Sequence, residues 1–163
     1  MLGTVKTWKL IAAVAVAVGL SGAALAATSA GAHDHGGHKV KLALDNGKKW
    51  ATDEPLRKGM ASIRANVEGA LHDIHEGKLD AAGYNALADK VGAQVGGIVA
   101  ECKLEPKADA QLHVVIAQML EGVDAMQGKQ KKVKRQAGAV KVLTALEQYG
   151  NYFDDPNWKA IQH

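Results

Sequence analysis

Apolar residues recur at three- and four-residue steps along four stretches of the chain. In the first stretch Leu56, Met60, Ile63, Val67, Leu71 and Ile74 fall on one stripe, the spacing of a helix with a single buried face. Thr52 or Asp53 opens this helix, Pro55 sits in its first turn and Gly77 ends it, as start and stop chemistry requires. Asp80 caps a second helix with Tyr84, Leu87, Val91, Val95, Ile98 and Cys102 inward. Its Gly92 and Gly96, one turn apart, would admit a close neighbour, although each costs about 1 kcal/mol of helix propensity. A third helix is expected from a cap at Asp109, with Leu112, Ile116, Met119, Leu120, Val123 and Met126 inward and Gly128 closing it. A fourth covers 133–149 with Val140, Leu143, Leu146 and Tyr149 inward. Four amphipathic helices on short turns predict an all-α, antiparallel up-down-up-down four-helix bundle.

The two ends depart from this period. Lys6 and Lys9 precede an apolar run over 10–20, followed by the small residues Ser21, Gly22, Ala23, Ala24 and Ala26. That is the pattern of a secretory signal peptide over 1–26, with cleavage after Ala26 or Ala32, and it predicts a periplasmic or secreted protein. The run is shorter than the roughly 20 residues of a spanning helix, so no membrane span is expected after cleavage. Removing 1–26 takes away two lysines and no acid, so the formal charge falls from +3 to +1. Nothing in that balance calls for nucleic acid as a partner. Residues 27–51 read as a His-rich arm with a short extended segment, in which Asp45, Asn46 and Gly47 make a turn and Trp50 anchors the arm on the bundle. Residues 52–163 form the bundle. Four of the six mature aromatics lie from Tyr149 to Trp158 and read as an aromatic cap on one end.

The remaining question is chemistry. The chain has one cysteine, so no intrachain disulfide forms, and a lone exported thiol is buried, metal-bound or paired with a second molecule as a dimer. In an up-down bundle, Met60 near the start of the first helix, Cys102 at the end of the second and His113 near the start of the third share one end. At 1.5 Å per residue they differ in depth by about 10 Å or less. Thioether, thiolate and imidazole make a soft ligand set that suits copper; the same residues also serve as core filler, small hydrophobe and hydrogen-bonded histidine. His72 and His75, with Glu68 and Glu76, form a second candidate, since residues three and four apart on a helix are neighbours. His33, His35 and His38, with Asp34 among glycines, form a third, where imidazoles capture a divalent cation. The basic run Lys129, Lys131, Lys132, Lys134 and Arg135 reads as a solvated loop with at most a weak anionic partner. No phosphate-binding glycine loop, nucleophile elbow or HExxH motif is present, and an enzyme is not expected.

The segments LRKGMASIR, CKLEPKADAQLH and YGNYFDDPNW resemble those of a group of small exported bacterial proteins with no assigned activity, over most of the mature chain. In architecture alone the bundle, with a methionine early in its first helix, also resembles the periplasmic b-type and c-prime cytochromes. That likeness implies haem held by helix-four ligands, yet here the fourth helix has no histidine and no CxxCH exists, so covalent haem is out. A noncovalent haem would use Met60 with His113 or His163. The sequence thus leads to a metal-binding bundle, copper first, for storage, carriage or sensing. A haem-carrying electron-transfer bundle and a metal-free interaction or chaperone-like protein are the alternatives.

Overall fold

Asp53 shows how the first helix starts. Its Oδ1 accepts from the Leu56 amide at 3.0 Å, which satisfies one of the donors that the first turn leaves without a helical partner. The computed structural model describes residues 41–162, and in it α1 runs Glu54–His75, burying Leu56, Met60, Ile63, Val67 and Ile74. Gly77 beyond its end takes φ +63°, the left-handed value that glycine reaches without penalty. Asp80 caps α2 (Ala81–Glu101) through the Gly83 amide at 2.7 Å. Then come α3 (Pro106–Met126) and α4 (Arg135–Tyr152). Every helix has its place in one apolar core: α1 packs on α2 and α4, and α3 packs on α2 and α4.

Four details correct the sequence reading. Asp109 does not cap the third helix, which starts at Pro106 with Glu105 as its cap position and no side-chain cap bond. Proline's fixed φ and missing N–H suit that first position and start the helix one turn earlier. The fourth helix runs two residues later at its start and three later at its end than expected. Leu120 and Val140, expected inward, are 42% and 50% exposed. The close approach in the bundle is also elsewhere. A methyl at Gly96 would meet nothing and one at Gly92 only Val123 at 4.0 Å, whereas one at Gly122 would strike the Gly138 carbonyl at 2.7 Å. Backbone contact at Gly122 and Gly138 sets the rotation of α4. It turns Ala139, Val142, Ala145, Leu146 and Tyr149 inward and leaves Val140 on the outside.

The chain ends are tied to one another. Asn46 (φ +49°) and Gly47 (φ +85°) make a tight reversal of the primed kind, closed by paired amide bonds between Asp45 and Lys48 at 2.8 and 2.9 Å. Beyond it, β1 (Trp50–Ala51) pairs in parallel with β2 (Phe153–Asp154), Trp50 opposite Phe153. The Thr52 hydroxyl donates to the Asp154 carbonyl at 2.7 Å and the Lys49 ammonium to the Gly150 carbonyl at 2.6 Å. The arm lies on α3, where the Ala43 amide donates to Gln111 at 2.7 Å and the Trp50 indole N–H donates to the Ala43 carbonyl at 2.6 Å. The aromatic cap forms as expected: Tyr149 stacks on Phe153 at 5.4 Å and meets Trp158 edge-on at 4.8 Å. Among the described residues no helix is long and apolar enough to cross a membrane.

Candidate functional site

At the α2–α3 corner a single carboxylate gathers three elements. Besides capping α1, Asp53 accepts from the Lys103 amide through Oδ2 at 2.6 Å and from the Cys102 thiol. The corner needs this. Cys102 leaves the helix with extended backbone (ψ 137°), so the amide that follows it has no helical acceptor, and Asp53 supplies one. Burial works to raise the Asp53 carboxyl, but the Lys103 and Leu56 amides and the Cys102 thiol outweigh it and hold it below the ordinary value. The effect on the thiol is opposite. Burial first, then the charge and hydrogen bond of Asp53 and the charge of Asp109, push Cys102 up to about 12. At neutral pH the sulfur is therefore protonated, and it donates to Asp53.

His113 stands about two turns into α3 with its side chain 64% exposed. Its Nδ1 lies 2.9 Å from the Asp109 carbonyl oxygen and 3.3 Å from Asp109 Oδ2. With that nitrogen protonated and donating, Nε2 keeps its lone pair for another partner, the orientation that metal-binding histidines commonly receive from a neighbouring carboxylate or carbonyl. Cys102, Asp109 and His113 line one partly open cavity of about 250 Å³, together with Ile98, Val99, Leu112 and Ile116. The sequence reading thus brings a sulfur and an imidazole to one pocket. It missed Asp53 and Asp109 as the groups that tune them, having taken both for helix caps.

The other candidates stand apart from this pocket. Met60 is fully buried in the core and is not among the residues lining the cavity. His72 and His75 are exposed at the far end of α1. There Glu68 is engaged by Arg64 in an ion pair and Glu76 lies 3.7 Å from Lys78. Among the described residues no group of three or more His, Cys, Asp or Glu is arranged to hold a metal ion. His33, His35, His38 and His163, like the signal segment 1–26, lie outside the described residues. No protein-family model, curated protein or solved structure matches this chain.

Proposed function

We propose that this chain is an exported helical bundle that binds a soft transition-metal ion, copper(I) first, for storage, carriage or sensing rather than catalysis. The four helices are read as running up-down-up-down, which the short connectors and the ring of neighbouring helices support. The observation that carries the proposal is the cavity shared by Cys102 and His113, with Asp109 turning His113 so that Nε2 is left as a ligand atom. Copper(I) accepts few and soft ligands, and a thiolate–imidazole pair satisfies it. Binding replaces the thiol proton by the ion, so uptake releases a proton and breaks the Cys102–Asp53 hydrogen bond. His33, His35 and His38 serve as additional imidazole ligands for capture. Met60 acts as core rather than as a ligand.

The test is a copper(I) titration of the mature chain, 27–163, against a chromophoric chelator, with elemental analysis of the protein from its native compartment. One tightly held copper is expected, lost on Cys102→Ser and weakened at least tenfold on His113→Ala, with the His72→Ala/His75→Ala pair unchanged. Undiminished binding in Cys102→Ser would sink the proposal, and a strong Soret band in the native protein would replace it with the haem reading.

A further inference from the structure

Between Asp124 and Glu147 the chain carries no acidic residue, while Lys129, Lys131, Lys132, Lys134, Arg135 and Lys141 all fall in that stretch. The structure assigns these cations two different tasks. Arg135 turns inward, donating to the Met126 carbonyl that ends α3 and to Asn85 Oδ1 at 2.8 Å. Lys141 pairs with Glu121 at 2.7 Å and Lys129 with Asp124 at 3.0 Å. Lys131, Lys132 and Lys134 stay exposed, and no ion pair joins them to an acid among the described residues. In their midst Val133 is 40% exposed. Lys132 holds φ +68°, a conformation that a non-glycine residue rarely adopts. The chain thus reverses at the tip with three ammonium groups and an isopropyl group outward.

This tip lies at the bundle end opposite the cysteine corner. Gln136 Nε2 donates to the Ile74 carbonyl at 2.8 Å, so the α1–α2 turn stands beside it. There Lys78 lies 3.7 Å from Glu76, and Asp73 and Asp80 are the other acids of that turn. Cations ringing one exposed apolar side chain match a flat surface that is anionic outside and apolar just beneath. A free polyanion would use the charges and gain nothing from the valine. We infer that the 129–134 loop docks this end of the bundle on an anionic lipid bilayer, Val133 entering the headgroup layer and the lysines lying against lipid phosphates.

Sedimentation of the full mature chain with vesicles tests this, using phosphatidylglycerol mixed into phosphatidylcholine against pure phosphatidylcholine. Binding to the anionic vesicles alone is expected, and it should fall as ionic strength rises. The triple variant Lys131→Gln/Lys132→Asn/Lys134→Gln, whose asparagine tolerates the left-handed backbone, should bind on the order of a hundredfold more weakly. Val133→Ser should lose a few-fold at unchanged charge. Circular dichroism of each variant checks that the helices persist. Equal binding to both vesicle types, or an unaltered triple variant, would overturn the inference. So would Val133→Ser binding unchanged while soluble polyphosphate competes fully, which would mark a general polyanion site instead.

Discussion

The connectors on either side of α3 solve one problem in opposite ways. Each must end one helix, start another and leave no buried backbone group without a partner. The α2–α3 connector is held from outside: Asp53, at the head of α1, takes the Lys103 amide and the Cys102 thiol. The α3–α4 connector is bridged by its own flank: Arg135 at the head of α4 reaches back to the Met126 carbonyl that ends α3, with a second, exposed bond to Asn85 of α2. A tie from a distant helix makes the first corner part of the tertiary fold and holds its half-buried sulfur against Asp53. Arg135 grips the end of α3 and α2 rather than the loop itself, which leaves the second loop free to put its lysines and Val133 in solvent. The chemistry each end can perform follows from where its tether comes from.

The contrast depends on α3 being fixed against α4, and the most severe break lies there. Gly138→Ala would place a methyl 2.6 Å from the Met126 amide nitrogen and 2.9 Å from Ala125 Cβ. Because the first is backbone, the helices must separate, at a cost of about 3 kcal/mol. Urea unfolding would read this as a lowered midpoint. A loss under about 1 kcal/mol would mean that the helix pair yields easily and that the glycines do not set its register.

The next largest effect separates the tethers. Asp53→Ala removes the α1 cap, orphans the Lys103 amide and leaves the thiol without its acceptor, at about 2–3 kcal/mol together. Asp53→Asn keeps one carbonyl acceptor and should lose less. Arg135→Gln removes the bond to the Met126 carbonyl and the exposed one to Asn85, without uncovering a helix cap or an unpartnered amide, and should cost about 1.5 kcal/mol. Equal losses for Asp53→Ala and Arg135→Gln in urea unfolding would erase the distinction between the two tethers.

Titration sharpens the same comparison. The Asp53 carboxyl lies below its ordinary 3.8 in the folded chain. Its contribution is therefore present above about pH 4 and lost as the pH falls through the lowered value. The Cys102 thiol is raised from 9.0 to about 12, so its contribution is complete below about pH 9 and lost as the pH rises toward 12. Tyr149 is also raised, by burial and then by the Asp155 carboxylate that accepts its hydroxyl at 3.1 Å, so the wild type alone does not isolate the thiol. The difference in Tm between wild type and Cys102→Ala, followed from pH 8 to pH 11, should shrink as the pH rises. A constant difference would show that the sulfur is not held half-buried against Asp53 as described.

Much of this architecture was legible in the pattern of apolar residues. Asp53 and Asp80 cap where capping chemistry put them, and the stripes of the first two helices are buried but for Leu71 and Cys102, which are half-buried. The candidate site was legible only in part. Cys102 and His113 could be brought together by counting turns, because helix rise is regular. Asp53 reaching the Lys103 amide across 50 positions leaves no local mark, since the same residue already satisfies the expectation of a cap. Met60 shows the opposite failure, for a stripe places a side chain inward without saying whether it faces a pocket or the packed core. The start of α3 was misplaced because the strongest capping residue in reach, Asp109, competed with Pro106, and the backbone restriction of proline prevailed.

The smallest effect tests the register of α4, the helix that follows the lysine loop. Periodicity in sequence turns Val140 inward, and polar substitution of a buried valine costs a few kcal/mol. The Gly122–Gly138 contact turns it outward instead, where it is 50% exposed. Val140→Gln should therefore change stability by no more than about 0.5 kcal/mol. Val142→Ala, at a position that is fully buried, should cost about 2 kcal/mol. Measured side by side by urea unfolding, the two substitutions locate the inward face of α4 from opposite sides. If Val140→Gln proved the more damaging, α4 would be rotated from the position described. The Arg135 tether at its head, and with it the outward display of the lysine loop, would then have to be redrawn.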